Sequence, residues 1–142
     1  MIYSHIDLTE LRKALEKSWD RHTSYLGVVE SNNPALGQCY PTSRVIQAFL
    51  PDAEIVEGEV WAGTAAEKHF WNLLLVNGNI RHIDFTWQQF PAGSVVKKYK
   101  IRDRATLGDG PETIARVELL LDRVNRHLQI KSGDNCICNR HR

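Results

Sequence analysis

The dipeptide Asn77-Gly78 constrains this chain more than any other feature. Its two residues tolerate the left-handed backbone that a tight two-residue hairpin turn requires, so the chain is expected to reverse there. The flanking runs agree: His69–Val76 is a compact apolar run, and Ile80–Phe85 returns as its partner strand. With a two-residue turn Val76 faces Asn79, Trp71 faces Asp84 and His69 faces Thr86. His69 and Asp84 are then diagonal neighbours on one face, within reach of each other. A three-residue turn shifts the register by one and sends them to opposite faces.

The other elements arrange themselves around this hairpin. Glu54–Trp61 is rich in β-branched residues and reads as a strand. Val95–Ile101 reads as another, with Lys97, Lys98 and Lys100 pointing outward on an edge. Leu8, Leu11, Leu15 and Trp19 recur at helical spacing behind Asp7 and Glu10, which have the form of a capping box, and predict a helix over 8–22. Ser31–Gly37 has turn chemistry and no periodicity. A second helix is expected from Cys39, with Val45, Ile46, Phe49 and Leu50 as its apolar stripe and Pro51 as its stop. Pro41 suits its first turn, where a missing N–H matters little. Thr86 and Gln89 form a second capping box for a short helical turn, and Pro111 precedes a final helix over 112–129, with Gly133 past its end. Helix, helix, strands, helix is an α+β order: a Cys-bearing helix packed on a small antiparallel sheet, flanked by N- and C-terminal helices.

Composition bounds the functional classes. A chain of 142 residues is expected to form one domain, 1–142, large enough to bury a core without staples. Eighteen Lys and Arg against seventeen Asp and Glu leave a net charge of +1, so nothing global attracts nucleic acid or anionic lipid. No stretch approaches the ~20 apolar residues of a membrane span, and MIYSHIDLTE has no apolar signal region. A cytoplasmic location is the expectation. Three cysteines, an odd number, argue against a disulfide framework. Cys136, Cys138 and His141 are zinc-ligand types, yet a closed structural site needs four ligands and no second pair completes this one. No metal or organic cofactor is expected.

Chemistry concentrates at Cys39, His69 and Asp84. Cys39 stands at the expected start of a helix, where unpaired N–H groups and the helix dipole favour an anionic sulfur. Covalent acyl chemistry needs that sulfur as nucleophile and a base beside it, for which His69 is the candidate. Asp84 is placed to fix the imidazole tautomer and support its cation.

The segments Asn33-Pro34-x-x-Gly37-Gln38-Cys39, His69-Phe70-Trp71-Asn72 and Ile83-Asp84-Phe85-Thr86-Trp87-Gln88-Gln89-Phe90 resemble the YunG-like family of small bacterial proteins. The likeness runs over about 33–90 and carries no established activity with it. The order Cys on a helix start, His on a strand, Asp on the next strand also resembles the papain-like and transglutaminase-like cysteine enzymes. That resemblance implies an oxyanion hole, with the Cys39 N–H as first donor and Asn33 or Gln38 as second. Papain-like enzymes carry glutamine six residues before the nucleophile, where this chain has Asn33. Trp71 is expected to wall the site against water, and Asn72, on the other face, to hold a loop.

The expected function is that of a cysteine-dependent hydrolase or acyltransferase acting on an amide, peptide or thioester bond. Cys39 is its nucleophile, His69 its base and acid, and Asp84 its orienter. Its partner is a peptide or small acyl substrate. The rival is a non-catalytic binding module on the same fold. That rival is either a degenerate site or a nucleic-acid binder using Lys97, Lys98, Lys100, Arg102 and Arg104 on phosphates, with Tyr99 for stacking. A solvated, lysine-protected edge strand explains the same run. Acceptor, substrate and oligomeric state leave no mark on the sequence.

Overall fold

The computed structural model describes residues 6–131. In chain order it forms helices α1 (Leu8–Ser18) and α2 (Cys39–Phe49), strands β1 (Glu54–Trp61), β2 (Ala66–Val76), β3 (Asn79–Ile83) and β4 (Val95–Ile101), and helix α3 (Pro111–Lys131). Short 3-10 turns occupy Trp87–Gln89 and Arg104–Thr106. The expected α+β architecture is present, with the four strands in one antiparallel sheet of order β3-β2-β1-β4.

The hairpin has the register of a two-residue turn. Val76 pairs with Asn79 and Asn72 with Ile83, and Asn77 and Gly78 both have positive φ, 52° and 81°. Side chains therefore alternate along β2. Phe70, Asn72 and Leu74 face the helices, while His69, Trp71 and Leu73 face the other way, where Trp71 and Leu73 cluster with Val56. On the helical side Leu11, Leu15, Ile46, Phe49, Leu120 and Val124 close the main core against Ile83.

Several boundaries differ from the sequence reading. Strand β3 spans Asn79–Ile83 rather than 80–85, so Asp84 lies just past the strand and the ladder with β2 stops at Asn72 and Ile83. Helix α1 stops at Ser18 rather than running to 22. Trp19 turns extended, its indole donating to Thr42 Oγ1 at 2.9 Å, and Asp20 starts a turn by accepting from Thr23 N and Ser24 N. Strand β2 begins at Ala66, three residues before the apolar run, because exposed Ala66, Glu67 and Lys68 still pair with β1. Pro111 is the first residue of α3 rather than its predecessor, a place where proline's missing N–H has no partner to lose. The Cys136, Cys138 and His141 cluster and Gly133 lie outside the described residues.

Asp7 caps α1 as expected, accepting from Thr9 N and Glu10 N. Thr86 does not cap its turn with its side chain: the hydroxyl donates to Asp84 Oδ1 at 3.3 Å, while Gln89 Nε2 donates to the Thr86 carbonyl at 3.1 Å. Among the described residues no helix is long and apolar enough to cross a membrane.

Candidate active site

The site is built on the start of α2. Gln38 occupies the N-cap position but makes no side-chain cap. Its buried amide reaches the other way, accepting from Thr23 Oγ1 at 2.8 Å and donating to the Asp20 carbonyl at 3.0 Å. This pins the 20–24 turn beneath the helix start. Gly37 is required there: its φ is +79°, and a Cβ would collide with Ser24 Oγ. Cys39, half-buried and with a free thiol, is the first helical residue. With no side-chain cap, and with Pro41 lacking an N–H, the amides of Cys39 and Tyr40 are the donors at this end.

The hairpin supplies the opposite wall. Strand β3 ends at Ile83, paired with Asn72, and the chain continues from Asp84 alongside the part of β2 that carries His69. The Asp84 carboxylate accepts from His69 Nε2–H at 2.8 Å through Oδ2, and from the Thr86 amide at 3.2 Å through Oδ1. Because a carboxylate only accepts, Nε2 must carry the proton, which fixes the tautomer. The His69 ring is fully buried between Trp71, Trp87 and Phe90, with centroids 5.5, 6.0 and 4.8 Å away. Its Nδ1 has no hydrogen-bond partner among the described residues.

Cys39 is near enough to this imidazole to contribute to its electrostatics. Burial opposes the charged ring, but the hydrogen bond to Asp84, the interaction with Cys39 and the negative charges of both outweigh it. Together they lift His69 from 6.5 to about 9. Since Asp84 holds Nε2, Nδ1 is the ring nitrogen without a hydrogen-bond partner among the described residues.

The other expected residues have structural duties. Asn33 donates through Nδ2 to the Gln89 carbonyl at 3.1 Å and ties its loop to the turn that covers His69; its buried Oδ1 has no partner among the described residues. Trp71 packs on His69 and donates its indole N–H to His82 Nδ1 at 2.9 Å. Asn72 does not hold a loop: it donates to the carbonyls of Ser43 in α2 at 3.0 Å and Glu54 in β1 at 3.4 Å. In the basic run, Arg102 and Arg104 are held by Glu57 at 2.8 Å and Glu54 at 3.1 Å. Tyr99 lies edge-on to Trp71 and His82.

Sequence reasoning missed Trp87 and Phe90 as the enclosure of the imidazole, although both stand within six residues of Asp84. It also missed a cleft of about 350 Å³ that opens beside Cys39, bounded by Tyr40 and the 107–110 loop. Tyr40 and Arg44 hold that loop through the Asp109 carboxylate, Arg44 Nε at 2.9 Å from Oδ2. Burial, then the Asp109 contact, keeps the Tyr40 hydroxyl protonated far above its usual range. No sequence signal joined Tyr40 to Asp109, which is sixty-nine residues away.

Among the described residues no group of three or more His, Cys, Asp or Glu side chains is arranged to hold a metal ion. A protein-family model described as YunG protein matches residues 7–129, which include every side chain of the site. No curated protein and no solved structure matches the chain.

Proposed function

We propose that this chain, which belongs to the YunG family, is a cysteine-dependent hydrolase or acyltransferase built on a papain-like or transglutaminase-like core. Its target is an amide, peptide or thioester bond, and its cleavage needs no cofactor. One observation carries this reading. His69 is buried and held through Nε2 by Asp84 at 2.8 Å, with the other ring nitrogen left for a cysteine at an uncapped helix start. A core histidine without chemistry would more ordinarily have both nitrogens satisfied.

The steps follow from the roles. An imidazole near 9 is protonated at neutral pH and pairs with the Cys39 thiolate. The thiolate attacks the substrate carbonyl carbon, forming a C–S bond while the carbonyl electrons move to oxygen. The Cys39 backbone N–H, free at the helix start, donates to that oxyanion. Asn33 or Gln38 is the second donor: each amide gives one hydrogen to a carbonyl, of Gln89 and Asp20 respectively, and has another. The imidazolium protonates the departing amine or thiol, leaving a thioester on Cys39. Neutral His69 then takes a proton from water or an acceptor amine, whose attack releases the acyl group. Asp84 supports the cation at each protonated stage.

The test is acylation by p-nitrophenyl acetate. A burst of p-nitrophenol with one acetyl group mapped to Cys39, absent in Cys39→Ser and strongly reduced in His69→Ala, is the expected result. Acetylation unchanged in Cys39→Ser, or shared equally with Cys136 and Cys138, overturns the proposal.

A further inference from the structure

The cleft beside Cys39 carries an uneven charge. Lys68, Arg102 and Arg116 line it together with Tyr40 and Thr113. Its one acidic lining residue is already engaged, Asp109 giving one oxygen to the Tyr40 hydroxyl and the other to Arg44. Glu57, outside the lining, holds Arg102 at 2.8 Å and reaches Lys68 at 3.7 Å, where the lysine side chain is 65% exposed. Arg116 has no carboxylate partner among the described residues. It is half-buried on α3, one turn beyond Thr113 and on the same helix face. A guanidinium lining the same cleft as a cysteine, with no carboxylate partner among the described residues, is a place for an oxyanion.

We infer that this cleft selects an acyl donor bearing an anionic group, a carboxylate or a phosphate, which Arg116 and Lys68 hold while the reacting carbonyl lies at Cys39. The inference rests on the cysteine-enzyme reading for the reaction but not for the anion site. Thr113 supplies a hydroxyl donor beside Arg116, and Arg102, tied to Glu57, adds positive field at the cleft wall.

Two alkylating agents of nearly equal shape test it. Iodoacetate carries the charge and iodoacetamide does not, and the ratio of their rates at Cys39 reports the field in the cleft. Arg116→Gln is expected to lower that ratio about fivefold, the factor that one unit charge contributes at close range in water; the ratio cancels any change in the reactivity of the sulfur itself. Lys68→Gln is expected to lower it in the same direction, and added salt to reduce the wild-type ratio. Inorganic phosphate and glutarate, as competitors, distinguish the anion types: the better protector of Cys39 names the class. A ratio unmoved by both substitutions, or no protection by either anion, overturns the inference. The comparison with His69→Ala separates the two readings. Iodoacetamide labelling that depends on His69 while the ratio ignores Arg116 sinks the anion site alone. A ratio that follows Arg116 while labelling ignores His69 sinks the catalytic reading alone.

Discussion

Replacing Asp84 by Asn removes the charge that holds the buried imidazole and leaves the shape of the side chain in place. A lift of His69 from 6.5 to about 9 corresponds to about 3 kcal/mol of differential interaction with the charged ring. Because the folded value lies above the unfolded one, this stabilisation is fully present below about pH 6.5 and is lost as pH rises through about 9. An opposite charge at hydrogen-bond distance typically moves a partner by about 1–3 units. Asp84→Asn is therefore expected to bring His69 down by that much and to destabilise the fold by about 1–4 kcal/mol at pH 6. At pH 10, where the wild-type ring is also neutral, the difference should shrink below about 1 kcal/mol. Urea unfolding of both proteins at the two pH values measures this, and a proton NMR titration of the His69 ring follows the midpoint directly. Equal losses of stability at pH 6 and pH 10, or a ring that still titrates near 9 in the variant, would refute the reasoning.

Two further substitutions probe the scaffold around the site. At Gly58 an added Cβ would stand 2.5 Å from Trp71 Cζ3 and closer still to Cη2, against a ring tethered by its indole N–H to His82. Gly58→Ala is expected to cost about 1–3 kcal/mol in urea unfolding, and a change below 0.5 kcal/mol would contradict the packing argument. Asn72 is buried and donates to two carbonyls, so Asn72→Ala should cost about 2–3 kcal/mol. Asn72→Asp, nearly isosteric, should cost more, because a carboxylate cannot donate and would face two carbonyl oxygens; the reverse order of stabilities would refute the assigned bonds.

The parts of the fold governed by local chemistry were legible in the sequence. Asn77-Gly78 set the hairpin register, and with it the meeting of His69 and Asp84, because a two-residue turn leaves a single alignment. The start of α2 at Cys39 followed from the turn residues before it and the apolar stripe after it. What was not legible depended on long-range contacts. Trp19 leaves helical geometry to reach Thr42 in another helix, so periodicity overran the end of α1. Ala66–Lys68 are polar or small and pair only because β1 lies alongside. Gln38 and Asn33 looked like free amides because their partners, Thr23, Asp20 and Gln89, are brought up by folding. The cleft is more distant still: it joins residues from the 25 region to Arg116, and no spacing rule connects them.

The central claim is that Cys39 and His69 act as one nucleophilic pair. It is tested most directly by the pH dependence of iodoacetamide labelling of Cys39, resolved from Cys136 and Cys138 by peptide mapping, in wild type and in His69→Ala. The account predicts that wild-type labelling persists well below pH 7 and that loss of His69 moves it upward by more than one pH unit. Labelling that follows an ordinary thiol near pH 8.5 in both proteins, or that begins only on unfolding, would contradict it.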